Sequence, residues 1–215
     1  MKNYSYIGIT FIILLFGIWA IPKIVDRLSE PDLAYILDVN KEPAVVPDFS
    51  FTNQNGETIT NEDYAGKVYV AEFFFTTCPS ICPIMNRNMV KIQNSFFGNP
   101  NFGVASFTIN PEYDTPEILK AYAENYGVTN PNWHMMTGDK SEIYQLANVG
   151  FNLYVGEAPE VEGGFEHSGF FALIDQEGKI RSRYDENGNP IIYYDGLEDD
   201  GIQMITQDIE LLLNN

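Results

Sequence analysis

The stretch Phe73-Phe74-Phe75-Thr76-Thr77-Cys78-Pro79-Ser80-Ile81-Cys82-Pro83 constrains this chain more than any other. It delivers an apolar run, and with it the only two cysteines, to a strand-to-helix junction. Pro83 fixes how the junction is read. In a helix interior it would lack its N–H and clash with the carbonyl four residues earlier, and it biases the residue before it away from helical geometry. The sequence therefore predicts Cys82 at the N-cap, Pro83 at the first helical position and a helix running to about Gln93. Cys78 to Ile81 become a tight turn at the helix mouth. Both sulfurs then sit at the positive end of the helix dipole, which favours thiolate over thiol. A close pair of thiolates is either a redox couple or a clamp for a soft metal ion.

Two cysteines this near each other cannot form a disulfide scaffold for a chain of 215 residues, so they are there for chemistry. A net charge of −18 argues against a nucleic-acid or anionic-lipid surface; it suits solubility and a cationic docking partner. From Asn3 to Pro22 no residue is charged, and Tyr6 to Ile21 is almost wholly apolar, which predicts a single transmembrane helix serving as a signal-anchor over residues 1–22. The competing reading is a cleaved signal peptide, for which Ile18-Trp19-Ala20 is a poor cleavage site. Lys2 on one side and Lys23 and Arg27 on the other leave the orientation to be decided by the chemistry.

Residues 23–46, mixed and charged with Pro31 and Pro43, read as a tether, and residues 47–215 as one folded domain. Phe49 to Thr52 and Glu57 to Thr60 flank Asn55-Gly56 as an N-terminal β-hairpin. Val68 to Phe75 reads as a central strand, Phe102 to Ile109 as the next, and Trp133 to Thr137 as a third. Asp114-Thr115-Pro116-Glu117 starts a helix that continues to about Tyr126; Ser141 to Asn148 is a short helix. Phe151 to Val155 is a brief extended piece, and the Gly- and Glu-rich segment Gly156 to Glu166 reads as a loop. Phe170 to Ile174 and Lys179 to Tyr184 form a second hairpin, and Glu198 to Asp200 cap a final amphipathic helix, Ile202 to Leu213. This order of strands and helices is that of an α/β, thioredoxin-like domain.

Three blocks give the chain a resemblance to the SCO/SenC family of membrane-anchored, thioredoxin-like proteins that help assemble the copper site of cytochrome c oxidase. They are Phe75-Thr76-Thr77-Cys78-Pro79-Ser80-Ile81-Cys82-Pro83, Ile109-Asn110-Pro111-Glu112-Tyr113-Asp114-Thr115-Pro116-Glu117, and His167 ahead of Phe170-Phe171-Ala172-Leu173-Ile174-Asp175-Gln176-Glu177-Gly178. The resemblance implies copper ligands at Cys78, Cys82 and His167, and two thiolates with one imidazole suit copper far better than a hard cation. It also implies a copper metallochaperone on the extracytoplasmic side of a membrane, such as the periplasmic face of a bacterial inner membrane. Its partners would be the copper-bearing subunit of cytochrome c oxidase and other copper carriers or thiol reductants. The second block departs from the family pattern in carrying Asn110 where an acidic residue is usual.

Glu72 keeps a second function open. It interrupts an apolar strand six residues before Cys78, the offset at which thioredoxins hold a buried carboxylate that moves protons for their cysteines. A buried acid there has a raised pKa and serves thiol chemistry. The alternative function is thus a membrane-anchored thiol-disulfide oxidoreductase in which Cys78 attacks and Cys82 resolves. His134, Met135 and Met136 could also bind copper, but on a short strand they are expected to pack, and Met85, one helical turn from Cys82, is expected to be a neighbour of the site at most.

Overall fold

The computed structural model describes residues 10–19, 21, 33–161 and 163–214. The chain divides into two units, Met1–Asp32 and Leu33–Asn215. In the first, residues 10–19 are helical. The expected anchor over residues 1–22 falls partly outside the described residues, and among those described no helix is long and apolar enough to cross a membrane.

The second unit is built on a sheet whose centre is the strand β4 (Val68–Phe74) beside β5 (Phe102–Thr108), all fourteen residues of the two being buried. Strands covered on both faces are mostly apolar, and at seven residues each these are the two longest strands of the unit. β4, β5 and β6 (Trp133–Thr137) are parallel. Parallel neighbours require crossover connections. The helix α1 (Cys82–Ser95) supplies the first crossover, and α2 (Pro116–Tyr126) the second. α2 begins as the sequence predicts: the Thr115 side chain accepts from the Ile118 N–H, with Pro116 in the first turn. It ends on Gly127 in the left-handed conformation at φ 76, which costs glycine nothing.

The N-terminal hairpin, β2 (Ser50–Asn53) and β3 (Thr58–Thr60), adds antiparallel to β6. On the other edge β9 (Phe170–Ile174) lies antiparallel to β4 and pairs with β10 (Ile180–Ser182) across the Asp175–Gly178 turn. The strand β1 (Ala34–Tyr35) pairs with β10 and closes that side. A short strand β11 (Tyr194–Asp195) pairs with β9, and the last helix, α4 (Asp199–Asn214), packs behind it.

Four expectations need correction. Residues 33–46 are not a tether. Leu33 and Ala34 are buried, and Arg181 donates to both of their carbonyls while pairing with Asp175 at 3.0 Å. Cys82 is not the N-cap; Ile81 is, and Cys82 is the first residue of α1. Proline in the first turn removes an N–H that no helical carbonyl awaits, so the second helical position suits Pro83 as well as the first. The short helix α3 (Lys140–Gln145) is followed by a π-helical turn, Leu146–Gly150, in place of a regular helix to Asn148. Finally, Gly156 to Glu166 is not simply a loop: β7 (Val155–Glu157) pairs with β8 (Phe165–His167), which puts His167 on a strand.

Candidate metal centre

The end of β4 sets one wall of the site. Phe75 is 1 % exposed, and Cys78 follows through a turn in which its N–H donates to the Phe75 carbonyl at 3.3 Å. The Cys78 sulfur is held from the helix side by the backbone N–H of Cys82 at 3.4 Å. The Ser80 hydroxyl lies 3.8 Å from the same sulfur. Cys82 itself is wholly buried at the head of α1.

The second wall is the hairpin of β7 and β8. Its loop comes close to the cysteine turn because Gly163, at φ 99, has no side chain. A Cβ there would lie 3.1 Å from both the Phe75 ring and Pro79. The Phe165 ring packs on Phe75 with centroids 5.2 Å apart, and the His167 imidazole stands edge-on to Phe75 at 5.8 Å. Lys140 of α3 pairs with Glu157 of β7 and lies over the Phe165 ring, so the hairpin is fastened to the body of the domain.

Between the walls, one ligand atom from each of Cys78, Cys82 and His167 lies within 4.8 Å of the other two. His167 Nε2 is 3.1 Å from Cys82 Sγ, and Nδ1 is 3.0 Å from the Ser168 carbonyl. A carbonyl can only accept, so Nδ1 carries a proton, and Nε2 is the ring nitrogen that faces the sulfurs. The two cysteines differ electrostatically. The thiol of Cys78 is held well below its ordinary range, first by Cys82 and then, against burial, by His167 and the N–H groups of Cys82 and Ser80. Burial, followed by the neighbouring Cys78, pushes Cys82 far up. A soft metal ion entering the group takes both sulfurs as thiolates, so its binding releases thiol protons. The opening is a cleft of about 150 Å³ whose lip includes Ile81, Val161 and Phe165.

Glu72, on β4, is fully buried and its charge acts on Cys82; Ser106 donates to its Oε1 at 2.7 Å, and its Oε2 has no hydrogen-bond partner. Burial pushes its pKa up to about 7, with Ser106 opposing. It is outside the ligand cluster, as are His134, Met135 and Met136. Both of these methionines are wholly buried, and His134 sits 3.2 Å from the Asn53 amide with the Tyr64 ring edge-on to it. Met85 is fully buried in the core. The aromatic wall of Phe75 and Phe165 escaped the sequence reading, because Phe165 lies in the segment taken for a loop.

A thioredoxin-like α/β domain with two cysteines and a histidine, grouped so that they could hold a soft metal ion, at the mouth of its first helix is the class that this fold and site define. Within that class the chain belongs to the SCO1/SenC family, whose sequence model matches residues 38–199. It is 36% identical over 157 residues to the SCO1 protein homolog of Bacillus subtilis (strain 168), covering 72% of this chain and 80% of that protein. Among solved structures it is similar to BsSco, described as a member of the Sco family of cytochrome c oxidase assembly proteins with a disulfide switch. That match has a TM-score of 0.67 and 30% identity, over 83% of this chain and 98% of the other. It is also similar to yeast Sco1 with copper bound, at TM-score 0.58 and 25% identity, covering 78% of this chain and 90% of that one.

Proposed function

We propose that this protein is a copper-binding metallochaperone that delivers copper, as cargo, to the copper-bearing subunit of cytochrome c oxidase. The observation that carries the reading is the convergence of Cys78, Cys82 and His167 within 4.8 Å at the edge of a cleft. Two sulfurs and one nitrogen make a donor set matched to copper, and three ligands leave a side open for a partner's ligand to take the ion over. Membership of the family and the copper-loaded yeast relative support the same reading. The membrane anchor belongs to this proposal too: the side chains of Phe11, Ile12, Leu14, Leu15, Phe16 and Trp19 are all more than half exposed on the helix over residues 10–19, as suits a lipid environment. The folded unit then works on the extracytoplasmic side, the periplasmic face of a bacterial inner membrane. The test is transfer. Reduced protein loaded with Cu(I) is mixed with the soluble copper domain of the oxidase subunit, and copper is followed after separation. Movement of copper that is lost in Cys78→Ser supports the proposal; copper that stays on the carrier, or moves equally well from the variant, contradicts it.

One observation favours a second reading, a thiol-disulfide oxidoreductase. The cysteines are electrostatically unequal, as an attacking and a resolving thiol are, and buried Glu72, with a pKa of about 7, acts on Cys82 through its charge. Thiol exchange with the oxidised oxidase subunit, measured on metal-free protein, separates the two readings.

A further inference from the structure

The second sequence block contains a carboxylate that copper binding does not explain. Asp114 is wholly buried, and no salt bridge among the described residues includes it. Its donors are neutral and come from two separate segments. The Thr76 N–H donates to Oδ2 at 3.1 Å and the Thr76 hydroxyl to Oδ1. The Thr108 hydroxyl, at the end of β5, donates to Oδ2, and Thr108 Oγ1 accepts in turn from the Asn110 N–H at 3.1 Å. Burying a carboxyl group is costly unless it is hydrogen-bonded, and three donors, two of them hydroxyls, serve it here. Such a group is expensive to keep for stability alone, since apolar residues fill the same space more simply.

Its location suggests what it does. Thr76 is the first residue after Phe75 and lies two positions before Cys78, in the stretch where the chain leaves the sheet. At Ile109 the neighbouring strand is still tied to Phe74 by a backbone hydrogen bond of 2.8 Å. Beyond these points the two segments separate, and Asp114 bridges the gap. Cys82 is fixed independently by α1, and His167 by β8. Of the three ligands, Cys78 alone depends on a turn.

We propose that Asp114 is a positioning residue for the copper site: through Thr76 it sets the turn that aims the Cys78 sulfur at Cys82 and His167. The proposal rests on these three residues being the copper site. Removing the clamp frees Cys78 while leaving the other two ligands in place. Asn at position 114 keeps the shape but offers an N–H2 where a hydroxyl donates, so one Thr hydroxyl loses its acceptor.

The experiment compares Asp114→Asn and Thr76→Val with Thr115→Ala, which weakens the start of α2 next door without touching Thr76. Thr76→Val keeps Asp114 and the backbone donor, so it serves if Asp114→Asn does not fold. Each reduced protein is titrated with Cu(I) and Cu(II), the sulfur-to-Cu(II) absorption band is recorded, and thermal unfolding is measured alongside. The expected result is a weaker, shifted band and a loss of affinity of roughly tenfold or more in Asp114→Asn and Thr76→Val. Thr115→Ala, with a comparable fall in Tm, keeps the parent spectrum and affinity. Equal spectra and affinities in all three at matched Tm loss would overturn the proposal and leave Asp114 a fold-stabilising residue. Cys78→Ser in the same series tests the underlying site: if it binds copper like the parent, the reading of the site fails and not the role of Asp114.

Discussion

Cys82 Sγ and His167 Nε2 lie 3.1 Å apart although 85 residues separate them in the chain. β4 and β9, neighbours in the sheet, bring them together: one leads into the helix that begins with Cys82, and the other starts just past His167. With Nδ1 committed to the Ser168 carbonyl, Nε2 is the nitrogen free to bind metal. His167→Ala therefore removes a nitrogen donor and leaves two sulfurs, which still hold Cu(I) but serve Cu(II) poorly. Affinity for Cu(II) is expected to fall by roughly tenfold or more beyond the loss for Cu(I). Titration in both oxidation states checks this, and equal losses count against it.

Copper and a Cys78–Cys82 disulfide compete for the same sulfurs. The two cysteines are free thiols close enough to pair after a small movement of the cysteine turn. Oxidised protein is expected to bind no copper at this site, and copper-loaded protein to resist a thiol-blocking reagent. Undiminished binding after oxidation would redirect attention to His134 and the methionines.

Glu72 links stability to pH. Its pKa is about 7 in the folded protein, where burial disfavours the anion, against a reference value of 4.5. The folded state thus holds a proton that the unfolded state releases, so this group's contribution falls as pH rises from about 4.5 to 7 and is level above that. Glu72→Gln removes the dependence. Relative to the parent, the variant should gain about 3 kcal/mol between pH 4 and pH 8, measured by denaturant unfolding. In the same variant thiol exchange should slow while copper stoichiometry stays unchanged. A parallel pH profile for parent and variant contradicts this account.

The edge strand β1 makes residues 33–46 part of the domain. Arg181 is buried against Asp175 and holds the Leu33 and Ala34 carbonyls. Arg181→Ala leaves the Asp175 carboxylate buried without its cation, at a cost of about 3 kcal/mol. A chain begun at Leu33 is expected to fold as the longer one does, while one begun at Pro47 loses stability by a similar amount. Equal unfolding midpoints for the two truncations would show that β1 contributes nothing.

The parts of the fold legible in the sequence were those written in local periodicity and punctuation. Val68 to Phe74 and Phe102 to Thr108 are apolar enough to be central strands on their own account, and Thr115-Pro116 announces α2 directly. That Cys78, Cys82 and His167 come together was legible through the three blocks together, since no spacing rule connects His167 to the cysteines. Other elements depend on partners distant in sequence. β1 is a two-residue strand given meaning by Arg181, and β7 and β8 pair within a segment whose glycines and glutamates read locally as loop. Phe165 gains its role only when β8 presents it to Phe75. Asp114 looked like part of a helix start because the residues that need it, Thr76 and Thr108, lie on two other segments.

The central claim is that one copper ion is held by Cys78, Cys82 and His167. X-ray absorption at the copper edge on reduced protein loaded with one equivalent tests it most directly, with Cys78→Ser, Cys82→Ser and His167→Ala measured beside it. The account predicts two sulfur donors and one nitrogen in the Cu(II) parent, one sulfur fewer in each serine variant, and loss of the nitrogen in His167→Ala. A spectrum with the same donors in the parent and all three variants would contradict it.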